Sequence, residues 1–155
     1  MTAPTFRFAL DPTVPGARFP VRATPSASGF DLIAPSGGVL MPGARVIIAT
    51  GVIVAAPLGW EAQVRPRSGL AVKFGVTTLP SVGTIDSDYR GSIGVGLMNM
   101  GAEPWTWAAG DRIAQLVFAP VWHGAVACAA DVAELGATER GAGGFGSTGR
   151  GAPKI

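Results

Sequence analysis

The apolar positions of this 155-residue chain fall into short runs separated by turn formers. The runs are Arg45-Val46-Ile47-Ile48-Ala49, Val52-Ile53-Val54-Ala55, Trp60-Glu61-Ala62-Gln63-Val64-Arg65, Val76-Thr77-Thr78-Leu79, Ser92-Ile93-Gly94-Val95-Gly96-Leu97 and Ile113 through Phe118. They are β-branched or alternate with a period of two, which predicts strands. In the Ser92 run, Ile93, Val95 and Leu97 share one face and Gly94 and Gly96 the other, because successive side chains of a strand point to opposite sides. A face without side chains predicts that something packs closely against it. Only Ser68 to Phe74 suits a helical turn. With 23 Gly and 13 Pro punctuating the chain, longer helices are broken. Many short strands at turn spacing predict an all-β fold, an antiparallel sandwich or jelly roll with one short helix. Residues 1–135 read as one domain, and residues 136–155 as a flexible Gly-rich C-terminal arm.

Composition narrows the function classes. A hydrophobic fraction of 48% over this length suits a single domain with a real core. A formal charge of +2 is too small for a nucleic-acid scaffold held by phosphate neutralisation, so no stable nucleic-acid partner is expected. Ten of the twelve basic residues are arginine, the side chain best shaped for bidentate oxyanion contacts. Cys128 stands alone, which excludes an internal disulfide and a cysteine-rich metal site. No apolar run approaches the ~20 residues of a membrane span, and Met1-Thr2-Ala3-Pro4 lacks the blocks of a signal peptide. A cytoplasmic location with no membrane partner is the expectation.

The arm carries the first chemical signal: Arg140-Gly141-Ala142-Gly143-Gly144-Phe145-Gly146-Ser147-Thr148-Gly149-Arg150-Gly151. Glycine lets backbone N–H groups approach an anion, and the arginines and hydroxyls add donors suited to phosphate. Phe145 is a single flat apolar side chain among them. The combination suits a lid over a ligand with phosphates at one end and an aromatic base at the other; a plain Gly-rich tail is the competing reading. P-loop and Rossmann glycine loops need a helix and further chain behind them, and only fourteen residues follow Gly141.

Four polar clusters interrupt the strands. In Ser28-Gly29-Phe30-Asp31-Leu32, Asp31 reads as a turn-capping carboxylate or as an acid facing a cleft, where it could hold a hydrated divalent cation. In Pro66-Arg67-Ser68-Gly69, Ser68 is a candidate helix N-cap, or joins Arg67 in a phosphate site. Gly83-Thr84-Ile85-Asp86-Ser87-Asp88-Tyr89-Arg90-Gly91 has the composition of a hairpin loop. Ile85 could set Asp86 at a partly buried edge, where the carboxylate could polarise a water for attack on phosphorus. In Gly110-Asp111-Arg112-Ile113-Ala114-Gln115-Leu116, Gln115 stands among apolar residues and needs a partner, internal or ligand, while Asp111 and Arg112 read as a surface pair. His123 reads as structural, since no second histidine or nucleophile accompanies it.

In order and content, these four clusters and the arm resemble the five motifs of the trimeric deoxyuridine triphosphate nucleotidohydrolases, the dUTPases, over roughly residues 20–149. The resemblance implies a jelly-roll homotrimer whose active sites draw on neighbouring subunits, with Mg2+ carried on dUTP. It implies that Asp86 orients the water attacking the α-phosphorus and that Asp31 holds the magnesium through water. Arg67, Ser68, Gly69 and Gln115 would bind phosphates, with Arg140, Ser147 and Thr148 clamping the far end of the chain. Phe145 would stack on uracil and Gly146 would permit the close approach. Backbone groups of Gly83, Thr84 and Ile85 would imitate base pairing, and Tyr89 would pack on the deoxyribose and exclude a 2′-hydroxyl. Pro80 departs from the pattern, since many bacterial relatives carry asparagine there; Ser28 replaces a more usual alanine, and Gly94 stands where relatives often carry a longer side chain. The alternatives are a non-catalytic nucleotide-binding or regulatory module and a dCTP deaminase of the same superfold.

Overall fold

The computed structural model describes residues 3–145. Contacts divide the chain into two compact units, residues 1–123 and 124–155. The first unit holds eleven strands: β1 Arg7–Leu10, β2 Gly29–Ile33, β3 Gly38–Leu40, β4 Arg45–Ala49, β5 Val52–Ala55, β6 Trp60–Arg65, β7 Val76–Thr78, β8 Gly83–Ile85, β9 Gly94–Asn99, β10 Trp105–Trp107 and β11 Arg112–Pro120. Helix α1 spans Ser68–Phe74. Every ladder is antiparallel, and the sheets run β2-β11-β6-β8, β4-β9-β7, β1-β5 and β10-β3. This is the all-β jelly roll with one short helix that the spacing of strands predicts.

Alternation builds the core. In β6, Ala62 and Val64 are buried while Glu61, Gln63 and Arg65 take the other face. Leu32, Val52, Val54, Ile93, Val95, Leu97, Ile113 and Leu116 join them, each about fully buried. The bare face of β9 is used as expected. A Cβ on Gly96 would lie 2.1 Å from the Leu79 carbonyl oxygen, and the Leu79 N–H donates to the Gly96 carbonyl at 3.0 Å. No residue larger than glycine lets that backbone approach so closely. Fully buried Asn99 donates through Nδ2 to the carbonyls of Leu40 and Glu103 and accepts from Gly101 N–H, which offsets the cost of desolvating the amide. Helix α1 stops at Gly75, whose φ of 69° is left-handed, the conformation glycine adopts without strain.

Five strands escape the sequence pattern. Asp31 interrupts the apolar run of β2, β3 and β10 have three residues each, β8 lies inside a loop of turn formers, and β1 is a four-residue stretch. The second unit contains a short 3-10 turn, Val132–Leu135, capped by the Asp131 carboxylate accepting from Ala133 N–H at 2.8 Å; its single turn is too short to show a period. Among the described residues, no helix is long and apolar enough to cross a membrane.

Candidate active site

Register in the four-stranded sheet brings the phosphate candidates together. Gln115 of β11 stands opposite Asp31 on one side and Arg65 on the other, and directly paired residues share a face. Asp31 is buried to 9% exposure. Its Oδ1 lies 3.2 Å from Arg67 Nε, and its Oδ2 accepts from Arg112 Nη1 at 3.0 Å. Arg67 Nη1 also donates to the Arg112 carbonyl at 2.8 Å. A buried carboxylate requires such compensation, because desolvation would otherwise favour its neutral form. Gln115 Nε2 donates to the Pro66 carbonyl at 3.0 Å, which satisfies that donor internally and fixes the amide beside the Arg67 segment. Gly29 makes room: a Cβ there would sit 2.7 Å from Gln115 Oε1.

Three local expectations are corrected. Asp31 lies within a strand and caps no turn. Arg112 pairs with Asp31 instead of Asp111, whose Oδ2 accepts from Ala108 N–H at 2.8 Å. Ser68 is not the N-cap; Arg67 holds that position in extended conformation with no side-chain cap bond, and Ser68 is the first helical residue, exposed to solvent. Gly69 is also exposed. Arg67 and Arg112 line a 310 Å3 cavity with Phe74 and Trp105.

The hairpin candidates occupy another place. Gly83, Thr84 and Ile85 form β8, paired with Val64, Gln63 and Ala62. They line a 270 Å3 cavity with Pro80, Gly94, Gly96 and Ile47, so the glycine face of β9 supplies part of its wall. Beyond β8 the Tyr89 N–H closes a turn onto the Asp86 carbonyl at 3.2 Å. Arg90 Nη1 donates to the carbonyls of Ser87 and Tyr89. Tyr89 is 44% exposed and its hydroxyl donates to the Ser92 carbonyl at 3.2 Å; a Cβ on Gly91 would meet that hydroxyl at 2.3 Å. Asp86 is exposed, not set at a partly buried edge. It lines an open cleft with Ser87, Asp88, Glu61, Trp60 and His123. His123, read from sequence as structural, is itself exposed.

These two groups do not meet within one chain. Asp86 follows Ile85, the partner of Ala62, and so lies level with Glu61, whereas Asp31 lies level with Arg65 three strands away. At about 4.8 Å between strands and 3.3 Å per residue, that is roughly 14 Å across and 13 Å along, so about 20 Å between the two backbone positions. A base acts within about 3 Å of its proton, or through one water. In the second unit, Arg140 Nε donates to the Gly143 carbonyl at 2.9 Å and Phe145 is fully exposed. Gly146, Ser147 and Thr148 lie outside the described residues.

The model of the dUTPase family matches residues 16–149. The chain belongs to the dUTPase family. It is 52% identical over 136 residues to the deoxyuridine 5′-triphosphate nucleotidohydrolase of Anaeromyxobacter sp. (strain Fw109-5), covering 88% of this chain and 90% of that protein. The corresponding enzyme of Syntrophotalea carbinolica is 52% identical over 135 residues, covering 86% and 90%. Among solved structures, the dUTPase of Staphylococcus bacteriophage 80alpha with dUpNHpp superimposes with a TM-score of 0.84 at 26% identity, covering 94% of this chain and 99% of that one. Arg67 and Arg112 converge on Asp31 with Gln115 beside them, while Gly83, Thr84, Ile85, Asp86 and Tyr89 belong to the separate hairpin. Arg112 is the member sequence reasoning missed. Its signal was available in the same motif, but adjacency to Asp111 suggested a surface pair.

Proposed function

We infer that this chain hydrolyses dUTP to dUMP and pyrophosphate, keeping uracil out of DNA and supplying dUMP for thymidylate synthesis. The observation that carries the reading is the 52% identity, over 88% of the chain, to a deoxyuridine 5′-triphosphate nucleotidohydrolase, with every side chain proposed for the chemistry present. Asp86 accepts a proton from a water as that water attacks the α-phosphorus. The new P–O bond forms as the bridge to the β-phosphate breaks, and pyrophosphate leaves with the electron pair. Arg67, Ser68, Gly69 and Gln115 hold the phosphates. The arm, residues 136–155, then closes: Arg140, Ser147 and Thr148 clamp the phosphate chain, Phe145 stacks on uracil, and Gly146 permits the approach. Gly83, Thr84 and Ile85 present backbone groups to the base, and Tyr89 packs against the deoxyribose. A site built to pair with the substrate's polar groups leaves them unpaired with the wrong base, which separates substrates more strongly than an apolar contact does.

The separation of about 20 Å between Asp86 and Asp31 supports a homotrimer in which each site takes its hairpin from one subunit and its phosphate cluster from another. Among the described residues no group of three or more His, Cys, Asp or Glu side chains could hold a metal, and both Asp31 oxygens face guanidinium groups. Each Asp31 oxygen keeps a lone pair beyond its guanidinium contact, so the carboxylate could accept from a water of a Mg2+ ion carried by the triphosphate, since magnesium keeps several waters and few protein ligands. When bound, the ion would neutralise charge on the phosphates. A cytoplasmic location goes with this role.

The test is pyrophosphate release across dUTP, dTTP, dCTP, dATP, dGTP and UTP with Mg2+. Release from dUTP far above the others is expected. Ammonia from dCTP would assign a deaminase instead, and no pyrophosphate from any nucleotide would leave only a binding module.

A further inference from the structure

Strand β11 contains one irregularity, and it lies beside the site. Arg112 pairs with Ile33 and Ala114 with Leu32, so Ile113 is an extra residue, a β-bulge in β11. Its mark is two consecutive buried residues, Ile113 and Ala114, each fully buried. In regular pairing Ile113 would stand opposite Ile33, and Arg112 opposite Ala34, a core position only 1% exposed. The bulge shifts the phase by one, and a shift of one moves a side chain to the other face of the sheet. Arg112 is thereby placed on the face that carries Asp31 and Gln115.

From there it acts twice on the Asp31–Arg67 pair. Its Nη1 holds Asp31 Oδ2 at 3.0 Å, and its carbonyl accepts from Arg67 Nη1 at 2.8 Å. Arg67 is therefore held at Nε by the 3.2 Å ion pair with Asp31 and at Nη1 by the hydrogen bond to the Arg112 carbonyl. A guanidinium has five N–H donors, and these two contacts set its plane while leaving the Nη2 donors and the second Nη1 donor for a ligand. A planar donor array held in place loses less entropy on gripping an oxyanion than a free side chain does. Arg112 is 48% exposed at its side chain, and it borders the same cavity as Arg67.

We propose that Arg112, aimed by the bulge at Ile113, is a positioning residue that presets the Arg67 guanidinium for the phosphate chain of the substrate. This rests on the proposed hydrolysis of dUTP, and its test separates the two. Dissociation constants are measured for dUpNHpp and for the nucleoside deoxyuridine, in the full chain and in Arg112→Gln, Arg67→Ala and the double variant. Positioning through Arg67 predicts about tenfold weaker dUpNHpp binding in Arg112→Gln but less than about twofold further loss when Arg67 is already absent, since contacts acting through one another are not additive. Deoxyuridine binding should not change. Equal losses in both backgrounds, or a deoxyuridine loss matching that of dUpNHpp, would overturn the proposal. If Arg112→Gln does not fold, the same cycle with Arg112→Lys, which keeps the charge and loses the planar fork, decides in the same way. Failure of the unaltered chain to bind dUpNHpp would overturn the functional reading, and the proposal with it.

Discussion

The Asp31 cluster and the Asp86 hairpin are built from the same sheet by opposite means. Around Asp31, three charged side chains from β2, β11 and the start of α1 are locked to one another, with the carboxylate nearly removed from water. Around Asp86, backbone does the positioning: β8 is tied to β6 by its ladder, the turn closes through Tyr89 N–H, and the carboxylate itself is exposed. The first arrangement stores its geometry in side-chain contacts within one chain. The second fixes only where the chain runs and leaves its acid free to be enclosed by something else. A group that binds a fixed anion gains from being preset, whereas a base must keep its proton site open until the substrate arrives. Changes at the two carboxylates should therefore separate activity from stability.

The largest effect is expected at the hairpin. Asp86→Asn should lower kcat by about 10²–10⁴, the range of a positioned acid or base, and change unfolding free energy by no more than about 0.5 kcal/mol, as for an exposed site. Steady-state pyrophosphate release and thermal unfolding of the same preparations check both halves. Turnover near that of the unaltered chain would remove Asp86 from its role. Asp31→Ala should do the reverse in kind, weakening stability as well as dUpNHpp binding. A fully buried pair broken on one side costs about 3–5 kcal/mol. Here Arg67 and Arg112 side chains are 27% and 48% exposed and regain water, so about 1–3 kcal/mol is the expectation. Urea titration of this variant beside Asp86→Asn gives the contrast directly; equal stability of the two would show that the cluster is not the braced region.

Period-two runs made β4, β5 and β6 legible in the sequence with their bounds intact, because each has one face on the core and an uninterrupted backbone ladder. The same rule hid β2, whose apolar run Asp31 interrupts, while adjacency to Asp111 misassigned Arg112. The bulge at Ile113 breaks the period where the candidate side chains stand, so the pattern fails there for a physical reason. Asp31 shows the other limit. A carboxylate inside an apolar run reads as a turn unless its partners are known, and those partners lie 36 and 81 residues away in the chain. Motif content could name Arg67, Gln115 and Asp86 as members of a set, but neither composition nor spacing gives the distance between the two halves. That distance comes from strand order, which a single sequence does not encode in any local pattern.

The two glycines of β9 sharpen the comparison on its smallest scale, because both border the hairpin cavity and a different kind of group faces each. At Gly96 the obstacle is backbone, the Leu79 carbonyl oxygen at 2.1 Å from an added Cβ; at Gly94 it is a side-chain group, the Ile47 Cγ2 methyl, at 3.0 Å. Backbone held by a ladder cannot turn aside, so Gly96→Ala should cost about 1–3 kcal/mol, as overpacking does. Ile47 is 79% exposed and can rotate away. There the gain of about 0.5–1 kcal/mol from replacing a strand glycine by alanine should offset the contact, leaving Gly94→Ala close to the unaltered chain. Parallel urea titrations of the two variants decide it. Equal costs would mean that the close approach of Leu79 is not what requires glycine at position 96, and that the wall of the cavity yields more readily than the registered backbone around it implies.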